Sequence, residues 1–152
     1  MRLRLFLIPC IAMLAVMAIS CTSSEELYYW GGYYNSGVER TTRYEQATYL
    51  YYKKQTPESF CELVTVLQDM IDHPGGSTNR IPPGVCAEYG FLLLQPNSAE
   101  LYAQNANKRQ LRNGPEASSF RSRGLELLKM EIELYPESAV FITPILKRFS
   151  EQ

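Results

Sequence analysis

One cysteine stands where its thiol could be modified covalently. Cys21 follows a segment with the order of parts of a secretory signal peptide, namely a basic start at residues 1–4 and an uncharged apolar run at residues 5–19. Acyl transfer requires a thiol at the end of such a signal, presented at the membrane face. The sequence therefore predicts that residues 1–20 are removed and that Cys21 carries a covalent lipid, with no other cofactor implied.

Two other interpretations of this N-terminus stay open. The apolar run could persist as an uncleaved anchor, although it is shorter than the roughly 20 residues that span a bilayer. It could also be a signal peptide that is cleaved without lipidation. Lipidation motifs usually have Leu three residues before the cysteine, and this chain has Ala18 at that position. Thr22 favours outer-membrane sorting by resemblance to enteric rules. Glu25 and Glu26 resemble an acidic surface-export signal, but a solvated tether on the periplasmic side is the reading that we favour.

An aromatic segment follows the tether and is the second candidate site. Its members are Tyr28, Tyr29, Trp30, Gly31, Gly32, Tyr33 and Tyr34. The paired glycines allow tight turning, and Tyr and Trp bury area while keeping a polar tip. The rings could form a docking strip or a glycan-stacking platform. We favour the alternative that they pack on the following domain.

The remaining residues offer little to catalysis. His73 is the only histidine and precedes Pro74 at a predicted helix end, where a capping role is expected. The cysteine spacing matches no zinc pattern, and Gly75-Gly76 lacks the lysine and the strand–helix context of a phosphate loop. We therefore predict no catalytic residue, no metal site and no enzymatic activity.

Cys61 and Cys86 could form a disulfide in an oxidising compartment, but their positions argue against it. Both lie near the starts of consecutive predicted helices, so antiparallel packing would offset them by on the order of 10 Å, whereas a disulfide needs Cα atoms roughly 4.4–6.8 Å apart. We predict two buried free thiols.

The charge and the length of the chain further limit the class of protein. The chain of 152 residues has 15 basic and 16 acidic side chains, and removal of residues 1–20 takes away two arginines and no acid. The remaining 132 residues then carry 13 basic and 16 acidic groups, a net charge of −3. A chain with this net negative charge is not expected to bind nucleic acid, because the phosphate backbone is also negative. The length suits one domain with a modest core.

From about Val38 to the end, the periodicity predicts helix almost throughout, and no run alternates as a strand would. The first helix extends to about Lys54. Thr56-Pro57-Glu58 is a helix start, with a capping hydroxyl, a proline at the first position and an acid in the first turn. The helix that follows is clearly amphipathic. Its apolar positions are Phe60, Leu63, Val64, Leu67 and Ile71.

The second half is predicted as three longer helices around a polar insertion. The first covers about 83–94, the next about 120–134, and the last begins at 136 with Pro144 expected to bend or delay it. Leu125, Leu128, Ile132 and Tyr135 should line one face of the middle helix, and Phe141, Ile145 and Phe149 one face of the last. In the insertion, Asn97 and Glu100 suggest a capping box that starts a short helix to about Asn107. The stretch 108–118 is expected to be a polar loop, with Lys108, Arg109 and Arg112 solvated.

Gly90 and Gly124 carry a resemblance to a tetratricopeptide-type hairpin. Gly124, Leu128, Glu131 and Pro136 have the spacing of that repeat's second helix, although a small residue is usual in place of Glu131. The two glycines are 34 positions apart in sequence, so the segment 95–117 is an insertion between the two helices. The fold class expected is all-α, a short tetratricopeptide-like array with an aromatic-rich extended N-terminal segment. The expected organisation is signal peptide 1–20, lipidated tether and aromatic segment 21–37, and helical domain 38–152.

The mature chain also resembles a family of small Gram-negative lipoproteins, known as domain of unknown function 4810. The matching elements include Cys21, the segment 27–33, Thr56-Pro57-Glu58, Ile81–Gly84, Ala87–Gly90 and the closing segment 131–138. The resemblance implies a tetratricopeptide-like envelope protein, often encoded beside a lipoprotein similar to the curli secretion channel. It attaches no chemistry to any residue.

These features favour a lipid-anchored, non-catalytic interaction scaffold in the cell envelope. We expect another envelope protein as partner, bound in a groove between helices or at the insertion. The alternative is a binding module for a glycan or small ligand that uses the aromatic segment around Trp30.

Overall fold

The computed structural model describes residues 25–34 and 40–150, so residues 1–24, with Cys21, lie outside the described part. Within those ranges the fold is all-α, as predicted, and pairing of extended chain is limited to two isolated bridges, Tyr33 with Thr42 and Gly75 with Arg80. The α-helices are α1 (Arg43–Lys54), α2 (Pro57–Asp72), α3 (Val85–Leu93), α4 (Ser98–Asn105), α5 (Lys108–Asn113), α6 (Phe120–Leu134) and α7 (Ala139–Ser150). Short 3-10 turns at Ala117–Ser119 and Pro136–Ser138 precede α6 and α7.

The helices pack in the order α1, α2, α3, α6, α7, and α4 and α5 lie against α2. The predicted start of α2 is confirmed, since Thr56 caps the helix in a capping box with Ser59 and Pro57 is its first residue. The end is also as predicted, with His73 as the C-cap residue. α2 is the centre of the core because its apolar face is fully enclosed. The residues of α2 with no exposed surface are Cys61, Leu63, Val64, Val66, Leu67 and Met70.

The expected close approach between the helices that carry Gly90 and Gly124 is confirmed. α3 and α6 share the most extensive helix–helix contact in the described residues. A Cβ atom on Gly90 would lie 2.7 Å from the carbonyl oxygen of Gly124, and one on Gly124 would lie 2.7 Å from Cγ of Leu94. These distances are shorter than non-bonded carbon contacts allow. The two backbones can therefore meet only because both positions are glycine.

The predicted apolar faces of the last two helices need correction. On α6, Leu128 is buried as expected, but the innermost positions also include Leu127 and Glu131. On α7, Phe141 is 76% exposed, whereas Ile142, its neighbour, is 4% exposed and packs with Leu128 and Leu94. The first position of the buried stripe is therefore Ile142 rather than Phe141, and the predicted Ile145 and Phe149 follow it at i+3 and i+7. Ile145 and Phe149 pack partly against the cluster of Leu94, Leu128 and Ile142. Pro144 lies within α7 without ending the helix.

In the insertion 95–117, the predicted short helix forms as α4, but the stretch after it is more ordered than the polar loop expected there. Asn97 adopts a left-handed conformation (φ 62°) and its side chain forms no cap, so the predicted capping box with Glu100 is wrong although α4 forms. The stretch after it contains α5, which begins with a capping box between Asn107 and Gln110. Tyr102 is fully buried, and its hydroxyl donates to the carbonyl of Gln110 at 2.8 Å. The insertion is therefore built around a core residue of its own.

Candidate functional site

The aromatic segment packs against the helical domain through its central rings. The ring of Trp30 is half-buried and lies 5.2 Å from that of Tyr44 on α1, centroid to centroid, with Tyr28 at 6.4 Å in an edge-on arrangement. Tyr29 donates a hydrogen bond to Asp69 on α2 at 3.2 Å. Burial, together with the neighbouring Asp69 carboxylate, raises the pKa of Tyr29. These contacts favour the packing alternative for this segment.

Glycines let the segment approach the domain. Gly31 and Gly32 both have positive φ (78° and 76°), which glycine adopts without strain. The carbonyl of Gly32 accepts from the amide of Arg43 at 2.8 Å, which holds the segment at the start of α1. On the other side, Gly76 comes so close that an added Cβ would lie 2.6 Å from the amide nitrogen of Tyr28.

The outer rings of the segment stay exposed. Tyr33 is 42% exposed, its hydroxyl is hydrogen-bonded to Glu26, and the guanidinium of Arg40 lies 5.3 Å from its ring. Tyr34 is 66% exposed. The candidate site residues are therefore divided, because Tyr29 and Trp30 contact the domain while Tyr33 faces solvent. Cys21, the candidate lipidation site, lies outside the described residues.

A groove between α1 and α3 is the site that the sequence did not reveal. Both helices pack on α2, and the Tyr44 hydroxyl donates to Oε2 of Glu88 across the gap at 2.6 Å. Next to this bond is a cavity of about 440 Å³. It is lined by Tyr51, Tyr52, Glu88, Phe91, Leu92 and Gln95. We call it the α1–α3 groove. A second cavity of about 330 Å³ continues from it, since Tyr51 and Gln95 line both.

Aromatic rings beside a carboxylate give the groove its character. Tyr52 and Phe91 are 61% and 48% exposed, so their rings are available to a ligand. Glu88 is half-buried, and no described residue donates to its second oxygen, Oε1. Burial and the nearby Glu88 carboxylate raise the pKa of Tyr52, and burial and the hydrogen bond to Glu88 raise that of Tyr44. The carboxylate of Glu88, with one oxygen that accepts from no described residue, lies beside the exposed rings of Tyr52 and Phe91. Such an arrangement of negative charge and aromatic rings favours the binding of a cation.

Sequence reasoning missed this groove because its residues come from two helices. The spacing of Tyr44, Ala47 and Tyr51 marked the buried side of α1 but said nothing of the exposed Tyr52. Phe91 is an apolar residue in an apolar helix, and its exposure follows from the way α1 and α3 sit on α2. A signal was present in the adjacent tyrosines 51 and 52, because neighbouring positions point about 100° apart on a helix and a helix packed on one side only buries one of them more than the other.

Glu131, the departure from the repeat pattern, has a structural role. It is 2% exposed, and its carboxylate accepts from the amides of Gly84 (2.8 Å) and Ala87 (3.3 Å) at the start of α3. The N-cap residue Gly84 has no side chain to do this. Glu131 on α6 therefore caps α3, where a negative charge is favoured by the helix dipole.

Cys61 and Cys86 are both buried free thiols. Burial and the nearby Glu58 raise the pKa of Cys61 to about 11, and burial and the nearby Glu131 raise that of Cys86 to about 12. The thiolate is the reactive form of cysteine. Neither thiol is therefore poised for chemistry at neutral pH.

A polar cleft of about 320 Å³ brings His73 beside Asp69, with Arg109 of α5 also in its lining. Nδ1 of His73 lies 3.2 Å from Oδ1 of Asp69, but the candidate nucleophile in the cleft, Thr65, donates its hydroxyl to the carbonyl of Cys61. In this cleft, His73 is therefore paired with Asp69, and the Thr65 hydroxyl is bonded within its own helix. Within 25–34 and 40–150, no cluster of three or more His, Cys, Asp or Glu residues is arranged to hold a metal ion.

Comparisons with protein-family models, with curated proteins and with solved structures found no match to this chain. In the described part of the chain, none of the helices has the length and apolar character needed to span a membrane.

Proposed function

We propose that this chain is a non-catalytic scaffold of the Gram-negative cell envelope, which is anchored by lipid on Cys21 and binds a partner protein in the α1–α3 groove. The observation that carries the proposal is the exposed pair of rings, Tyr52 and Phe91, beside the open carboxylate of Glu88. A groove with a cavity of about 440 Å³ fits the usual dimensions of binding sites.

The order of basic start, apolar run and cysteine supports the anchor. Thr22 favours the outer membrane, and the absence of a strong export signal favours the periplasmic face. The resemblance to lipoproteins of domain of unknown function 4810 supports the same location. It also suggests a candidate partner, namely a lipoprotein similar to the curli secretion channel.

The chemistry of the groove favours a partner segment with a basic side chain. An Arg or Lys could pair with Oε1 of Glu88 while its stem or guanidinium lies on Tyr52 or Phe91. Tyr, Trp and Arg are the side chains most enriched among the residues that contribute most to binding at protein interfaces. The glycan alternative at Trp30 has less support, because the Trp30 ring is already packed against Tyr44 and Tyr28.

Photo-crosslinking in living cells tests the groove. A benzophenone amino acid placed at Phe91 of the full-length chain should crosslink to one envelope protein, at a peptide that contains Arg or Lys. The matched control is Leu111, which is also about half exposed (51%) but lies on α5, outside the groove. A probe at Leu111 should give no such adduct.

The variant Glu88→Gln isolates the charge, because its amide oxygen can still accept the Tyr44 hydroxyl. Loss of a charge-assisted hydrogen bond of about 1.5 kcal/mol should weaken partner binding roughly tenfold and reduce the Phe91 adduct accordingly. Adducts that are equal at Phe91 and Leu111, or that are unchanged by Glu88→Gln, would contradict docking in this groove.

A further inference from the structure

The two most exposed large apolar side chains of the described residues are neighbours. Val140 and Phe141 are 77% and 76% exposed and lie in the first turn of α7. Leu27 is 63% exposed. An apolar side chain held in water forgoes the free energy of burial, and adjacent exposed ones often mark an interaction surface.

Leu27 and the first turn of α7 lie at the same end of the molecule. The carbonyl of Leu27 accepts from the amide of Thr78 at 3.1 Å. Two residues further on, Arg80 donates to the carbonyl of Leu134 (3.4 Å) and its guanidinium lies 5.7 Å from the ring of Tyr135. The Tyr135 hydroxyl donates to the carbonyl of Ile81, the residue after Arg80, and Tyr135 directly precedes the turn that leads into α7.

The opposite end of α7 is well separated from this surface. Near the start of α6, Arg121 donates to the carbonyl of Phe149 at 2.6 Å, so α6 and α7 are antiparallel. At 1.5 Å per residue, the 12 residues of α7 extend about 18 Å away from the turn at Pro136–Ser138. Val140 and Phe141 therefore belong to the end that carries Leu27, which we call the tether end.

The length of chain before Glu25 limits how far the tether end can be from the lipid. Four steps of chain separate Cys21 from Glu25. At no more than about 3.6 Å per residue, they span at most about 14 Å. If Cys21 carries the lipid, Glu25 and the tether end beside it lie close to the membrane surface.

We propose that the tether end lies against the lipid surface and that Val140 and Phe141 insert into its interfacial region. The proposal rests on the lipid anchor of the proposed function. Apolar side chains at this depth add to membrane binding in proportion to the area they bury. The orientation also directs the α1–α3 groove away from the membrane, because Tyr52 and Phe91 lie near the far ends of α1 and α3.

The charges of the tether end indicate which lipids it accepts. Glu25, Glu26, Glu133 and Glu137 are exposed there, together with the basic residues Arg40 and Arg80. A surface with more acidic than basic groups gains nothing from anionic lipid. Contact should therefore occur on zwitterionic phosphatidylcholine vesicles and should not require anionic lipid.

The test uses the lipidated full-length protein, reconstituted into phosphatidylcholine vesicles, with a polarity-sensitive dye on Phe141→Cys. The matched control is Phe91→Cys, an exposed phenylalanine at the other end. The native thiols do not compete for the dye, because Cys61 and Cys86 have no exposed surface. Dye at 141 should shift to the blue and be quenched by brominated acyl chains, and dye at 91 should stay accessible to aqueous iodide. Val140→Cys should repeat the result for 141.

Two failures can be told apart. Acylated, vesicle-bound protein whose dye at 141 is as accessible to iodide as dye at 91 would overturn the membrane-facing tether end alone. Protein whose intact mass shows no lipid would overturn the anchor, and with it the orientation derived from the anchor.

Discussion

A carboxylate on one helix completes the cap of another in this fold. Glu131 reaches from α6 to the amides of Gly84 and Ala87, which start α3. The first amides of a helix have no intrahelical partner, and Gly84 can supply none from a side chain. The sequence identified Glu131 as an exception to its repeat pattern but could not identify its partners, because these amides lie more than 40 positions away.

Replacing Glu131 by Ala should lower the free energy of unfolding by about 2–3 kcal/mol, since a cap is lost and buried amides are left without an acceptor. Glu131→Gln keeps one oxygen acceptor and should lose about 1 kcal/mol. Urea denaturation provides the measurement. The control is Glu133→Ala, an exposed glutamate on the same helix, for which a change within about 0.5 kcal/mol is expected. Equal changes in the free energy of unfolding for Glu131→Ala and Glu133→Ala would show that the cap does not contribute to stability.

At the scale of helices, the structure depends on contacts between small residues as much as on apolar faces. Gly90 and Gly124 let α3 and α6 meet along their backbones. Because α1 and α3 both pack on α2, the α1–α3 groove lies between them.

Gly90→Ala should lower stability by about 1–3 kcal/mol, because the new methyl group would meet the Gly124 carbonyl and the core would be overpacked. In an open helix the same change would be stabilising by about 1 kcal/mol. The sign of the change in a thermal or chemical melt therefore reports the contact. Ser122→Ala, at an exposed position of α6, should leave stability nearly unchanged or slightly raised. A Gly90→Ala variant that is more stable than the parent would contradict the packing.

The elements that the sequence predicted well are those that local chemistry determines. The start of α2 follows from the capping residue Thr56 and from Pro57, and the bounds of α6 follow from periodicity within one segment. One error arises where a distant partner decides, since Ile142 rather than Phe141 is buried because of how α7 packs on α6. The other, α5, had a local signal that was overlooked, namely the capping box of Asn107 with Gln110. The α1–α3 groove needs two helices and was therefore invisible in either one.

At the scale of the whole molecule, the proposed lipid anchor lies at one end and the proposed docking groove at the other. The aromatic segment joins the tether to the domain through Trp30 on Tyr44 and Tyr29 on Asp69. Because this junction is packed, the orientation of the domain should follow from the point at which the chain meets the membrane. The central claim is therefore the covalent lipid on Cys21, since both the location and the orientation depend on it.

The mass spectrum of the N-terminal peptide, taken from protein in the membrane fraction, tests that claim most directly. If Cys21 is lipidated, the peptide should begin at Cys21 and carry the added mass of a diacylglyceryl group, and a Cys21→Ala variant should be lost from the membrane fraction. A peptide that begins elsewhere, or one that begins at Cys21 with an unmodified thiol, would contradict the lipid anchor and the orientation that depends on it.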